Sequence, residues 1–389
     1  MRQLTSDRGG VDRAVEPVFE WSMRWDQQGI ELDDPDALPG LGKISGLLRT
    51  VTTPDFAGVR FHEVAAKSAL NKVPGPSAMP FGWTINPYRG CTHACVYCYA
   101  RGSHSWLDLD TGRGFDTEIV VKVNIADVLR RELCRPSWAY QAVALGTNTD
   151  PYQRAEGRYQ LMPGIISALA GSGTPFSILT KGTLLRRDLP LLRTAAQEVS
   201  VGLAISIAIV DEDLRPTLEP GTPSVRARLD LVRALTGAGL PCGVFVAPVL
   251  PCLTDTDEHL DRLLGEIAAA GATGCTVVPL HLRPGAREWF FTWLRRERPT
   301  LVPAYQQIFG RGSYVGADYR RSLASRVGPI LDRHGLSRRS GADQRKTKDA
   351  AIPGDSDADF PEGALPAPHQ RSSSPQSQVS EQLMLAGPA

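Results

Sequence analysis

Three cysteines, Cys91, Cys95 and Cys98, lie within the run Asn86-Pro-Tyr-Arg-Gly-Cys-Thr-His-Ala-Cys-Val-Tyr-Cys-Tyr-Ala-Arg101. Their spacing is C-x3-C-x2-C. A structural zinc ion takes four ligands, and no second C-x2-C pair follows downstream. His93 sits inside the loop, between cysteines whose spacing already uses the turn. A disulfide would leave one thiol over. A [4Fe–4S] cluster held by four cysteines is a closed electron carrier. Held by three, it keeps one iron open, as catalytic metal sites keep a free position. The trio therefore points to an iron–sulfur cluster with an open iron.

Other residues suited to chemistry recur at regular intervals. Short apolar runs at Thr84–Pro87, Ile119–Val123, Ala142–Leu145, Phe176–Leu179, Val201–Ile207, Gly243–Val249 and Thr276–Leu280 alternate with helical stretches. The latter are Ala126–Leu133, Met162–Ala170, Leu189–Gln197, Val225–Ala238 and Glu258–Ala270. Such alternation predicts a parallel sheet with crossover helices. Six or seven units predict a complete or partial β/α barrel, whose chemistry gathers on loops at the C-terminal strand ends. The polar runs fall there: the cysteine loop, Gly146–Gln153, Thr180-Lys181-Gly182, Ser206 with Leu218–Pro223 downstream, and Pro248–Asp255.

The chain has 389 residues, 42% of them hydrophobic, and a net charge of +1. A strongly basic molecule gripping nucleic acid over its whole surface is excluded. No apolar run approaches 18 residues, so no membrane span is expected. The polar start lacks the apolar core of a signal peptide. Seven cysteines, three of them clustered, fit a reducing cytoplasm. The fold class expected is α/β: a partial (β/α)6-type TIM barrel. Residues 1–50 form an N-terminal extension, 51–300 the barrel and 301–336 a helical region. Residues 337–389, rich in Ser, Pro and Gln, form a disordered tail.

C-x3-C-x-aromatic-C, with Tyr97 as the aromatic, resembles the signature of the radical S-adenosylmethionine (SAM) superfamily. The resemblance implies that Cys91, Cys95 and Cys98 hold a [4Fe–4S] cluster whose open iron is chelated by SAM. Reductive cleavage would then yield a 5′-deoxyadenosyl radical that abstracts hydrogen from a substrate. A flavodoxin, ferredoxin or reductase would supply the electron. Over roughly residues 60 to 300 the chain is similar to the spore photoproduct lyase-like branch. The matching pieces are Asn148-Thr149-Asp150, Thr180-Lys181, Ser206, Glu219 to Thr222 and Ala247-Pro248. By that likeness Asn148, Thr149, Asp150, Lys181, Ser206 and Glu219 are SAM-contact candidates, and Tyr97 lies near the adenine. Physically, a lysine pairs with a carboxylate, while Asp, Thr and Ser suit an ammonium group and ribose hydroxyls.

One departure bears on substrate. The lyases carry a hydrogen-donating cysteine where this chain has Thr147, whose O–H bond is too strong for that task. Tyr97 and Tyr99 match a tyrosine pair of the lyase site and are catalytic candidates. Cys252 is a candidate replacement thiol. The radical-generating half is thus present and the quenching half is not, so a true spore photoproduct lyase is not expected. Cys134, Cys242 and Cys275 read as structural. From Arg287 to Lys348 there are 14 Lys/Arg and 5 Asp/Glu, a local charge of 14 − 5 = +9. That segment reads either as a phosphate-tracking face or as a solvated one. Trp289, Phe290, Phe291 and Trp293 read as base-stacking rings or, from their helical spacing, as core. Nucleic acid is therefore one substrate class, beside a modified nucleotide or a peptide. The alternative reading is a non-catalytic iron–sulfur redox sensor or nucleic-acid-binding protein.

Overall fold

The computed structural model describes residues 44–73, 79–337 and 360–367. The chain first lays down β1 (Leu47–Val51), β2 (Arg60–Val64), β3 (Leu70–Lys72), β4 (Trp83–Ile85) and β5 (Tyr88–Arg89). After the cysteine loop come α1 (Arg113–Thr117), β6 (Glu118–Lys122) and α2 (Ile125–Leu133). Then follow β7 (Val143–Leu145), α3 (Glu156–Tyr159), α4 (Leu161–Gly171), β8 (Phe176–Thr180) and α5 (Leu189–Glu198). The next are β9 (Val201–Ser206), α6 (Arg215–Leu218), α7 (Val225–Gly237), β10 (Gly243–Val249), α8 (Asp257–Ala269) and β11 (Gly274–Pro279). Last come α9 (Ala286–Glu297), α10 (Val302–Phe309) and α11 (Ala317–Arg333).

Six strands, in the order β4-β7-β8-β9-β10-β11, run parallel side by side. A helix follows each of the last five strands of that row, and β4 reaches β7 through α2. This is the partial barrel the alternation predicts. Its edges, β11 and β3, do not pair; β3 joins antiparallel to β4. Ile178, Leu203 and Val244 of the strands pack with Leu169, Leu192, Leu235 and Leu263 of the helices in one core. Local sequence supports these helices. Ser224 and Thr256 accept N-cap bonds from the Ala227 and His259 amides. Behind those caps, Val225, Leu229 and Val232, and Leu260, Leu264 and Ile267, form buried helical stripes.

The second apolar run, Ile119–Val123, is not a barrel strand. Its residues form β6 in a second sheet of order β1-β2-β6-β5, where Phe61, Tyr88, Ile119 and Val121 make a separate core. A buried strand has the same apolar pattern in either sheet. This sheet carries β5 straight into the cysteine loop.

The aromatic group adopts its packing role. Phe290, Phe291 and Trp293 are buried with Tyr305 and Phe309. The basic segment is largely spent locally: Arg326 and Arg333 pair with Asp257 and Asp261 of α8. Arg287 binds the carbonyls of Gly310 and Gly312. Residues 338–348 lie outside the described residues. Among the described residues no helix is long and apolar enough to cross a membrane.

The expected extension at 1–50 is described only from residue 44. The tail departs from expectation at residues 360–367, which run across the N-terminal ends of β9, β10 and β11. The Leu203 amide donates to the Gly363 carbonyl, and the Thr273 hydroxyl to the Glu362 carbonyl. Phe360 sets its ring edge-on to Phe81, just ahead of β4, and to Phe245 of β10. One ring so bridges the two sides of the open barrel at its base. The signal was masked by composition, because two aromatic or aliphatic anchors in a Pro-, Ser- and Asp-rich stretch read as noise. Gly202 makes this approach feasible, since a Cβ there would stand 2.5 Å from the Ala364 carbonyl oxygen. Gly202→Val is expected to lift the segment off the barrel and cost about 1–3 kcal/mol. Hydrogen exchange at residues 203 and 363–364 checks this; unchanged protection there would count against the contact.

Candidate active site

The cysteine loop has almost no regular structure of its own and is held by its neighbours. From below, the Gln153 carboxamide accepts from the Thr92 amide (2.8 Å) and donates to the Gly90 carbonyl (3.0 Å). The Thr149 hydroxyl also donates to Gly90 O (2.8 Å). From the side, the buried Arg101 guanidinium donates to Cys95 O and Gly112 O and pairs with Asp116 at 2.8 Å. It lies between the rings of Phe115 and Trp289. From above, the Val96 amide donates to Leu218 O and the Gly221 amide to His93 O. That last contact demands glycine, because a Cβ on Gly221 would stand 2.0 Å from Thr92 O.

Cys91 and Cys95 are buried, Cys98 is half-buried, and all three are free. Burial pushes all three thiols up. They are therefore protonated until a metal displaces the proton. Among the described residues no three His, Cys, Asp or Glu side chains converge as a single ion would gather them. Three free thiols on a firmly clamped loop fit a cluster ligand set.

Beside them lies a buried ionic group joining four elements. Glu219, after α6, sits 2.8 Å from Arg228 of α7 and 3.2 Å from Lys181 after β8, and accepts from the Tyr97 hydroxyl. Lys181 Nζ also donates to Ser206 Oγ at 2.7 Å, and Ser206 in turn to Ala247 O at 3.2 Å. The lysine ammonium stands 5.7 Å from the Tyr97 ring centre. Burial alone would raise the Glu219 carboxyl. The Arg228 and Lys181 charges and the Tyr97 hydroxyl outweigh it and hold it well below the usual carboxylate range. Asp150 behaves similarly: burial raises it, but His93, the Lys181 amide and the Thr180 hydroxyl bring it below its ordinary value. His93 Nδ1 is 3.3 Å from Asp150 Oδ2.

Tyr97, Lys181, Ser206 and Glu219 thus meet at one place, as the sequence reading expects. Thr149 and Asp150 make hydrogen bonds that hold neighbouring loops. Asn148 faces an adjoining cavity of about 600 Å³, with Tyr99, Thr147, His281 and Arg283. The Tyr99 hydroxyl donates to Thr147 O, and its ring lies against His281, which stacks in turn on Tyr314. Burial, then Arg283, lowers the His281 imidazole to about 4. Cys252 is exposed and does not line this cavity. Tyr305 reaches Pro251 O at 2.8 Å instead, tying that loop to the aromatic core. Sequence reasoning missed Gln153, Arg101 and Arg228 as supports. Arg228 had a signal: it falls in the apolar stripe of α7, between Val225 and Val232, where a charge needs a buried partner.

Glu219→Gln leaves two buried cations uncompensated and is expected to cost about 3–5 kcal/mol. The wild-type advantage is complete above the ordinary carboxylate value of about 4.3 and is lost as pH falls toward the lower folded value. Urea unfolding at pH 7 and pH 3.5 should therefore show a gap that narrows in acid; an equal gap would contradict this pairing.

Residues 85–264 match the model of the radical SAM superfamily. An uncharacterized protein of Mycobacterium tuberculosis is 56% identical over 335 residues, covering 85% of this chain and 98% of the relative. In architecture the chain is similar to a mutant of spore photoproduct lyase, with TM-score 0.54 and 16% identity over 70% of this chain and 79% of that one. It is also similar to a mutant lyase with bound AdoMet and dinucleoside spore photoproduct, with TM-score 0.53, 17% identity and the same coverage. Together with the clamped cysteine trio, these likenesses mean that the chain belongs to the radical SAM superfamily and has a spore photoproduct lyase-like fold.

Proposed function

We propose that this radical SAM enzyme holds a [4Fe–4S] cluster on Cys91, Cys95 and Cys98, and SAM beside it. It would use them to take hydrogen from a substrate in the adjoining cavity. The observation that supports this most is the meeting of Tyr97, Lys181, Ser206 and Glu219 next to the cysteine loop. When bound, the cluster and SAM supply a one-electron cleavage that releases methionine and a 5′-deoxyadenosyl radical. The electron would come from a flavodoxin, ferredoxin or reductase.

The protein's own residues do the positioning. Lys181, already oriented by Ser206 and Glu219, offers an ammonium to the SAM carboxylate. The Tyr97 ring offers a face toward the adenine. Asn148 lines the cavity. The Tyr99 ring forms part of the cavity wall, with Thr147 beside it. Thr147 stands where the lyases carry a thiol donor, which supports a reaction other than spore photoproduct repair. Nucleic acid is one candidate substrate class. With its thiol outside the cavity lining, Cys252 is not carried forward as a hydrogen donor.

Anaerobic, iron-reconstituted protein given SAM and dithionite should release 5′-deoxyadenosine, read by chromatography. Cys95→Ala should abolish the product; full activity in that variant would sink the assignment. Lys181→Met should weaken SAM binding about tenfold or more. Equilibrium binding of labelled SAM measures this, and unaltered affinity would remove Lys181 from the SAM site.

A further inference from the structure

The cavity wall contains a feature that hydrogen abstraction does not explain. Its described lining residues include Lys72, Arg89, Lys122 and Arg283 but no Asp or Glu. Two of these cations are half-buried. Arg89 lies on β5 opposite Val120 of β6, and Lys122 is two residues further along β6. Side chains two apart on a strand share a face, so Arg89 and Lys122 are diagonal cross-strand neighbours.

Among the described residues neither forms an ion pair or a side-chain hydrogen bond. Burial, then the Arg89 charge, pulls the Lys122 ammonium down to about 8. The Glu132 carboxylate, which pulls the other way, is engaged by the Ala69 and Leu70 amides. Among the described residues the Arg89 guanidinium lies near the Trp106 ring, 6.0 Å from its carbon. Two like charges held together with no ion-paired partner among the described residues are unfavourable in the empty protein. They become favourable when an anion of charge near −2 enters. That charge distinguishes a terminal phosphate from the single charge of a phosphodiester.

We propose that Arg89 and Lys122 seat the terminal phosphate of a phosphomonoester substrate, whose remainder extends along the cavity toward Tyr99 and Asn148. Arg89 supplies the planar two-pronged donor and Lys122 the point charge. The seat rests on the reading of this cavity as the substrate site. The exposed Trp106 indole, 70% accessible, offers a stacking surface beside the phosphate for a flat substituent.

The test uses full-length, anaerobically reconstituted protein and calorimetric titration with inorganic phosphate and, separately, dimethyl phosphate. Inorganic phosphate is expected to bind wild type, and Arg89→Gln or Lys122→Gln to weaken it about tenfold each. Arg89→Lys, which keeps the charge but loses the two-pronged donor, should bind phosphate between wild type and Arg89→Gln, and guards against misfolding of the Gln variants. Dimethyl phosphate should bind at least tenfold more weakly. No phosphate binding, or equal binding by wild type and both Gln variants, overturns the seat. Dimethyl phosphate binding as tightly as phosphate overturns the terminal-phosphate assignment. The same preparation is assayed for 5′-deoxyadenosine with SAM and dithionite. Phosphate binding without SAM cleavage would sink the radical reading and leave the seat standing, and cleavage without phosphate binding would do the opposite.

Discussion

The arrangement turns on one buried carboxylate. Glu219 is fully enclosed, and an ionised group there is tolerable only with partners arriving from several directions. Arg228 comes from α7, Lys181 from the end of β8, and Tyr97 from the cysteine loop itself. Each partner is thereby fixed by a common need rather than by its own segment's stiffness. The loop that carries the three thiols has little secondary structure to hold it. It gains order from this ion group above, from Gln153 and Thr149 below, and from Arg101 at its side.

Such bracing has a chemical purpose. The proposed cluster would need a loop that presents three sulfurs and little else. A helix or strand would fill the surrounding space with its own side chains and ladder bonds. The cost is a segment whose backbone groups must be satisfied from outside. Gly221 and the carbonyls of Gly90, His93 and Cys95 are where that satisfaction is visible.

Much of this was legible in the residues. The cysteine spacing, the six barrel strands and the convergence of Lys181, Ser206 and Glu219 could be read from periodicity, loop position and family likeness. The rest depended on partners distant in sequence. Ile119–Val123 has the composition of a barrel strand, and only its pairing with Arg60–Val64 reveals a second sheet. Thr149 and Asp150 look like ligand-binding groups because Thr and Asp suit SAM. In the fold they also hold loops, through Gly90, Thr180 and Lys181. Cys252 follows the right strand but does not line the cavity, a placement that position along the chain does not encode. Arg89 and Lys122 each look like an ordinary surface charge until two strands place them side by side.

The segment 360–367 also has a history in time. The ribosome makes β9, β10 and β11 well before the residues that lie under them, and Leu203 must wait for a partner 160 positions later. Bringing such remote positions together costs entropy that grows slowly with the intervening length, and contacts of this kind form late. During biosynthesis the barrel therefore exists for a while as a tube open at its base, with Phe245 and Phe81 exposed to solvent. Docking of Phe360 then covers the apolar faces of Phe81 and Phe245 that the strands alone leave open.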